Sequence, residues 1–487
     1  MNAPVCAIQR IGAGNASETR NPKEIRNPKK QTGVDRFTYR MRGFRRTCYV
    51  SKIRFVIWSF GFGISFGFLV SDFGFPLIML SSAARRKETM LDTQRMIENG
   101  KSVLIGNYAR LPVVMVRGQG SKLWDSDGRE YVDLFAGFGA AILGHCHPAL
   151  IAAITEQAGQ LWHVGNTFYT TPQIDLAQWL NKTAFTGQAF FCHSGLEANE
   201  AAVKLARLRG GSGSPKKWKV VSMNRSFHGR SMAMIAATGN PAVKAGFEPL
   251  VPGFNHVDLG DLEGLSAIVD DETAAVIIEP IQGEGGIHPV ATDYAVELRK
   301  LCDARNVTLI YDEVWTGGAR TGKWFGYQYF GKEAMPDIIT LGKAVGGGLP
   351  VGVMFAKPEI AALLVPGKHG CTLGGNPICM AASRAIFQTI DSEKLTDHAA
   401  AMGEYGMARL KNEKKIAAKI AGIRGRGLMI GIELKQPPEK LVEAGLAKGV
   451  VINLTSKNVI RLAPPVNITR EDWDRGLDRV VEVIGGL

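Results

Sequence analysis

Two short apolar runs, Ala274-Ala-Val-Ile-Ile-Glu279 and Val307-Thr-Leu-Ile-Tyr-Asp312, flank a stretch over residues 294–306 whose apolar positions recur at helical spacing. A run that is apolar without alternation is covered on both faces. A helix between two such runs forces a crossover, so this pattern predicts a β-α-β unit in a mostly parallel α/β sheet. Helical and strand-like stretches alternate over residues 146–385. In sheets of this kind ligands sit beyond the carboxyl ends of the strands, which is where Asp312 falls. Residues 90–145 read as a lead-in, with a hairpin over 123–133 turning at Asp127-Gly128. From about residue 386 the chain becomes helix-rich, with strand candidates at 428–434 and 459–462. The expected organisation is an extension over 1–89, an N-terminal segment of a smaller α+β domain over 90–145, a large domain over 146–385, and the rest of the smaller domain over 386–487.

Charge narrows the function classes. The formal net charge is +13, but residues 1–89 carry 16 Lys/Arg against 5 Asp/Glu, leaving 42 against 40 in the remainder. A nearly neutral body does not present a basic groove for nucleic acid, and none is expected. The seven cysteines are scattered without a Cys-x-x-Cys pair, which predicts reduced thiols and a cytoplasmic setting. No histidine pair has zinc-ligand spacing, so no metal is expected; His145-Cys-His147-Pro148 reads as a turn entering a helix. The extension itself is Pro- and Asn-rich, then basic, then uncharged and rich in Phe and Gly over 55–70. It reads as disordered, as a targeting peptide, or as an over-long reading frame with the start at Met90 or Met96. Its glycines and Asp72 make a poor spanning helix, so membrane attachment is not expected.

Lys343 lies just after an apolar run, in Asp337-Ile-Ile-Thr-Leu-Gly-Lys343-Ala-Val-Gly-Gly-Gly-Leu-Pro350. It is not a nucleotide phosphate loop, because Ala344 stands where Ser or Thr is needed and Asp337 where the first glycine belongs. A lysine between flexible turns suits Schiff-base formation with a carbonyl. Asp312, thirty-one residues upstream, ends a buried-strand candidate. A carbonyl-trapping lysine and a buried carboxylate together are what pyridoxal 5′-phosphate requires, the one for its aldehyde and the other to keep its ring nitrogen protonated. The turn His193-Ser-Gly-Leu-Glu197 opens a helix and offers free amides to a phosphate, although Ser194-x-x-Glu197 is also an ordinary capping box. A second glycine-rich loop, His369-Gly-Cys-Thr-Leu-Gly-Gly-Asn-Pro377, carries a hydroxyl at Thr372.

From about residue 95 onward the chain resembles the class III pyridoxal-phosphate aminotransferases, and among them the acetylornithine-type enzymes. The resemblance rests on Leu143-Gly-His-Cys-His-Pro148, Ser194-Gly-Leu-Glu-Ala-Asn-Glu200, Ser226-Phe-His-Gly-Arg-Ser231, Glu279-Pro-Ile-Gln-Gly-Glu-Gly-Gly286, Asp312-Glu-Val314, Gly342-Lys343, Thr372 and Arg461-Leu-Ala-Pro-Pro465 in that order. It implies an aspartate-aminotransferase-like (fold type I) α/β architecture and a homodimer. It implies that Lys343 binds the cofactor and shuttles a proton, that Asp312 pairs with the ring nitrogen, and that Phe227 and Val314 cover the ring faces. Gly195 and Leu196 would line the phosphate, with Thr372 reaching it from a partner subunit; Glu313 and Trp315 would flank the cofactor. Arg230 and Arg461 would bind substrate carboxylates, with Glu284 gating Arg461 and Cys371 near the substrate. The implied reaction moves the terminal amino group of N2-acetylornithine to 2-oxoglutarate, in arginine biosynthesis. The alternatives are an ornithine, 4-aminobutyrate or lysine-type ω-aminotransferase, or a cofactor-binding protein or scaffold without turnover.

Five positions depart from the family pattern. Leu196 replaces a Thr whose hydroxyl helps hold the phosphate, a loss on the order of 1 kcal/mol. Trp315 replaces a Gln, Cys371 a Ser, and Ala140-Ala141 a Val-Asn pair. These changes leave Lys343 and Asp312 in place and predict an active enzyme whose substrate pocket differs from its relatives'.

Overall fold

The computed structural model describes residues 93–487 and, before them, only the strands Arg46–Val50, Ile53–Phe60, Ile64–Val70 and Pro76–Met79. These four pair in sequence order as an antiparallel meander. The stretch weighed as an anchor therefore contains strands rather than a helix. The other readings of the extension, including a start at Met90, lie outside the described residues. Met1–Thr89 and Met90–Leu487 form separate contact units. Among the described residues no helix is long and apolar enough to cross a membrane.

The second unit is built on a seven-stranded sheet: β1 (Gln188–Cys192), β2 (Lys219–Met223), β3 (Phe254–Val257), β4 (Thr273–Ile278), β5 (Thr308–Asp312), β6 (Ile338–Leu341) and β7 (Gly352–Ala356). The strand order is β3-β2-β4-β5-β6-β7-β1. The pairs from β3 to β6 are parallel, and β7 is antiparallel to both β6 and β1. Only β7 is reversed, so six strands end on one edge of the sheet.

Both faces are buried because alternate residues pack against opposite layers. Val276, Ile278, Leu309 and Tyr311 share one core, and Ala275, Ile277 and Ile310 share the other. Helix α1 (Gly195–Gly210) lays Ala201, Ala202, Leu205 and Ala206 on the second core. Helix α2 (Thr292–Ala304) lays Tyr294, Ala295, Leu298 and Cys302 on the first. The predicted β-α-β unit is thus β4-α2-β5. The helix ends two residues before the expected limit, where Asn306 takes φ +49° and turns the chain into β5.

A second, antiparallel sheet has the order β8-β9-β11-β10, with β8 (Ile420–Arg426), β9 (Met429–Leu434), β10 (Asn453–Thr455) and β11 (Val459–Leu462). The predicted hairpin pairs Trp124 with Glu130 around Gly128 at φ +82°, and its strand Glu130–Asp133 runs parallel to Val450–Val451. Val132, Leu134, Ile142, Ile430, Leu462, Trp473 and Leu477 share one hydrophobic core, which joins this early segment to the C-terminal one.

Candidate active site

Asp312 is the last residue of β5, and its carboxylate is held on both oxygens. Oδ2 accepts hydrogen bonds from Asn199 Nδ2 and from His228 Nδ1, each at 2.8 Å, and Oδ1 accepts from the Val314 amide at 3.0 Å. Asn199 is itself fixed, accepting from Thr340 Oγ1 at 2.6 Å and donating to the His228 carbonyl at 2.8 Å. An anion only 3% exposed is tolerable because three donors converge on it. The buried His228 Nε2 has no partner among the described residues.

Lys343 follows β6 by two residues and is half-buried at φ +39°, a backbone region uncommon for a residue with a Cβ. Its surroundings push its amine down to about 8; burial is the main cause, Arg461 adds to it, and the carboxylates of Asp312, Glu284 and Glu279 oppose it. Nζ lies 4.6 Å from the centre of the Trp315 ring. Trp315 has room because glycines flank it: a Cβ on Gly139 would approach its ring to 2.6 Å and one on Gly283 to 3.0 Å. The expected bulk of Trp315 is therefore absorbed within the site rather than turned out of it. Its buried Nε1 has no partner among the described residues.

A cavity of about 260 Å³ opens at this edge of the sheet, lined by Lys343, Asp312, Trp315, Val314, Phe227 and the turn 193–196, with Asn199, His228 and Glu279 also on its wall. At one side stands the start of α1. Ser194 Oγ accepts from the Glu197 amide at 3.2 Å, while the amides of Gly195 and Leu196 have no intrahelical acceptor. Gly195 is required here, since a Cβ would sit 2.4 Å from Val314 Cγ2. The Glu197 carboxylate reaches the His193 amide at 2.9 Å rather than that of Ser194, so the predicted capping box is shifted by one residue. Two buried ring nitrogens without partners, a fixed carboxylate, a lysine of lowered basicity and free amides at a helix start together fit a planar aromatic aldehyde bearing a phosphate, the group expected from the sequence.

Beyond Trp315 lies Arg461 on β11, 1% exposed. It donates through Nη1 to Glu284 Oε1 at 2.8 Å and through Nε and Nη2 to Asn453 Oδ1 at 3.1 and 2.8 Å. Its guanidinium carbon is 4.6 Å from the centre of the Trp315 ring and 5.3 Å from that of Phe135.

The remaining predicted residues are arranged differently. Glu313 faces away from the cavity: its carboxylate accepts from Thr316 Oγ1 and from the Gly326 and Tyr327 amides at 2.8 and 2.7 Å. Burial pushes its acid up to about 7. It organises the loop after β5 and does not line the cavity. Arg230 is exposed, 5.7 Å from the Phe227 ring. Cys371 and Thr372 line a different cavity with Asn166, Gln173, Phe190 and Phe191. Sequence reasoning gave no role to Asn199, His228, Glu279 or Asn453. Glu279, one residue past β4, is 3% exposed, and burial beside Asp312 raises its acid well above the usual range. Asn199 lies four residues, one helical turn, past Gly195 on the same face of α1, a spacing that could have marked it; Asn453 carried no such signal.

Residues 105–484 match the family model for class-III aminotransferases. The chain is 42% identical over 385 residues to an acetylornithine aminotransferase of Myxococcus xanthus, covering 78% of this chain and 96% of that protein. It is 45% identical over 378 residues to an acetylornithine aminotransferase of Gloeobacter violaceus, covering 76% and 92%. Among solved structures it resembles the ornithine aminotransferase of Toxoplasma gondii, described with pyridoxal phosphate partly occupying its active site. The TM-score is 0.78 at 30% identity, over 84% of this chain and 98% of that one.

Proposed function

The chain belongs to the class-III aminotransferases, and from that premise we propose that it transfers the terminal amino group of N2-acetylornithine to 2-oxoglutarate, giving N-acetylglutamate semialdehyde and glutamate, with pyridoxal 5′-phosphate as its cofactor. One observation carries this reading: the amine of Lys343 and the fixed carboxylate of Asp312 line one cavity, at the edge of the sheet where a helix start leaves amides free. The preference for acetylornithine draws on relatives that carry that name at 42–45% identity.

Asp312 would hold the ring nitrogen, Phe227 and Val314 the ring faces, Gly195 and Leu196 the phosphate, and Lys343 the aldehyde carbon. When bound, the cofactor supplies a protonated ring that absorbs the negative charge left when a proton leaves the carbon bearing the amino group. The chain's own work is to position groups and move protons. Asn199 and His228 lock Asp312 as an acceptor facing the site. Lys343 Nζ, with its basicity lowered to about 8, is roughly a tenth neutral at pH 7, far more than an ordinary lysine, so it can take the substrate proton and hand it back. Trp315 walls the cavity beside that amine. Arg461 would take a substrate carboxylate with its planar fork once Glu284 releases it. Thr372 would serve the phosphate of a partner subunit in a homodimer, and the enzyme would act in the cytoplasm.

A panel of acetylornithine, ornithine, 4-aminobutyrate and lysine against 2-oxoglutarate, with glutamate as the readout, tests the proposal. The expected result is a kcat/KM for acetylornithine at least tenfold above the others. A lead for ornithine would replace the substrate, and no turnover with any of them would end the reading.

A further inference from the structure

At the rim of the cavity, beside the start of α1 and with His193 in its wall, three side chains of different chemistry converge. His193 Nδ1 lies 3.1 Å from Glu197 Oε1, Cys371 Sγ lies 3.4 Å from His193 Nδ1, and Cys371 Sγ lies 3.9 Å from Glu197 Oε1. All three ligand atoms fall within 4.8 Å of one another. We propose that His193, Glu197 and Cys371 bind a zinc ion.

The argument is geometric first. With zinc–sulfur, zinc–nitrogen and zinc–oxygen bonds of about 2.3, 2.0 and 2.1 Å, neighbouring corners of a tetrahedron stand roughly 3.4–3.6 Å apart. The three observed separations bracket that range, so a shift of a few tenths of an ångström seats the ion. The donor set is one thiol, one imidazole and one carboxylate, which suits a borderline-soft cation and not magnesium or calcium. Thiolate and carboxylate together neutralise the ion's two charges.

The carboxylate is also oriented for the task. Glu197 Oε2 accepts from the His193 amide at 2.9 Å and from Ser194 Oγ at 3.0 Å, which turns Oε1 toward the cluster. His193 and Glu197 are one helical turn apart across the start of α1, so the backbone fixes their separation. The glycine-rich loop delivers Cys371, whose carbonyl accepts from Asn166 Nδ2 at 3.0 Å. The side chains of His193 and Glu197 are 35% and 40% exposed, so a cation reaches the site and water can take the fourth position. Without a cation, partial burial and the Glu197 charge hold the Cys371 thiol above its usual value. Zinc binding replaces the sulfur–hydrogen bond with a zinc–sulfur bond, and the thiol proton leaves to solvent. The imidazole carries its remaining proton on Nε2. Occupied, the site ties the glycine-rich loop to the helix start that the proposed function assigns to the phosphate. Zinc binding itself does not depend on that assignment.

The full chain, free of any histidine tag, is equilibrated with one to two equivalents of zinc and dialysed against zinc-free buffer, and metal is measured by atomic emission. About one zinc per chain is expected, falling to background in C371S and in E197Q, each checked for cooperative unfolding. On the unaltered protein, zinc should slow iodoacetamide labelling of Cys371, located by peptide mass, at least tenfold, whereas magnesium should not. Zinc retained equally by C371S, or Cys371 labelled at the same rate with and without zinc, would overturn the site. Neither readout measures transamination, so failure here and failure of the proposed reaction are distinguishable.

Discussion

At the scale of single residues, the site is governed by what burial does to charge. Lys343 titrates at about 8 rather than near 10.5 because its charged form is poorly solvated. In the cofactor-free protein, acetylation of Nζ followed by peptide mapping should therefore speed up through a midpoint near pH 8; a midpoint near 10.5 would mean the amine is solvated. Glu279 shows the opposite shift, raised well above 4.5 by burial and by Asp312. A carboxyl whose folded-state pKa is raised contributes stability that is full below about pH 4.5 and lost as pH climbs through the folded value. E279Q should thus gain urea resistance relative to the unaltered protein as pH rises above about 4.5, with the two converging below it.

Between elements, the start of α1 is fixed by contact with the loop after β5. Gly195 packs on Val314 so closely that Gly195→Ala places a methyl 2.4 Å from Cγ2. The helix start must then move away. The expected outcome is a cost of about 1–3 kcal/mol in unfolding free energy, with at least tenfold weaker retention of added pyridoxal phosphate, measured by dialysis and absorbance. Unchanged retention would separate this helix from the phosphate. Much at this scale was legible in the sequence. The unalternating apolar runs of β4 and β5 and the periodic stretch of α2 carried the parallel unit, because complete burial on both faces leaves that pattern. Glu313 was not legible. Alternation along a strand end says which way a side chain points only if the strand continues, and after Asp312 the chain turns, sending the Glu313 carboxylate to the Gly326 and Tyr327 amides.

Across residues 93–487, β11 brings Arg461 to a glutamate 177 positions earlier in the chain. Glu284→Gln removes the charge that occupies the guanidinium fork. Glu284 is 31% exposed while Arg461 is 1% exposed, and a pair screened on one side is worth on the order of 1 kcal/mol, so the KM for 2-oxoglutarate should fall roughly fivefold; an unchanged KM would show that Arg461 does not bind that carboxylate. The sequence by itself determined the parallel α/β core, the pairing of Lys343 with Asp312 as chemistry, and the family. Those rest on local periodicity, turn residues and motif order, all written along the chain. Only the tertiary structure decided that Asn199 and His228 clamp Asp312, that Gly139 and Gly283 make room for Trp315, that Asn453 shares Arg461, and that Cys371 meets His193 and Glu197. Each of these depends on a distance through space between segments far apart in sequence, and no local pattern encodes such a distance before the chain has packed.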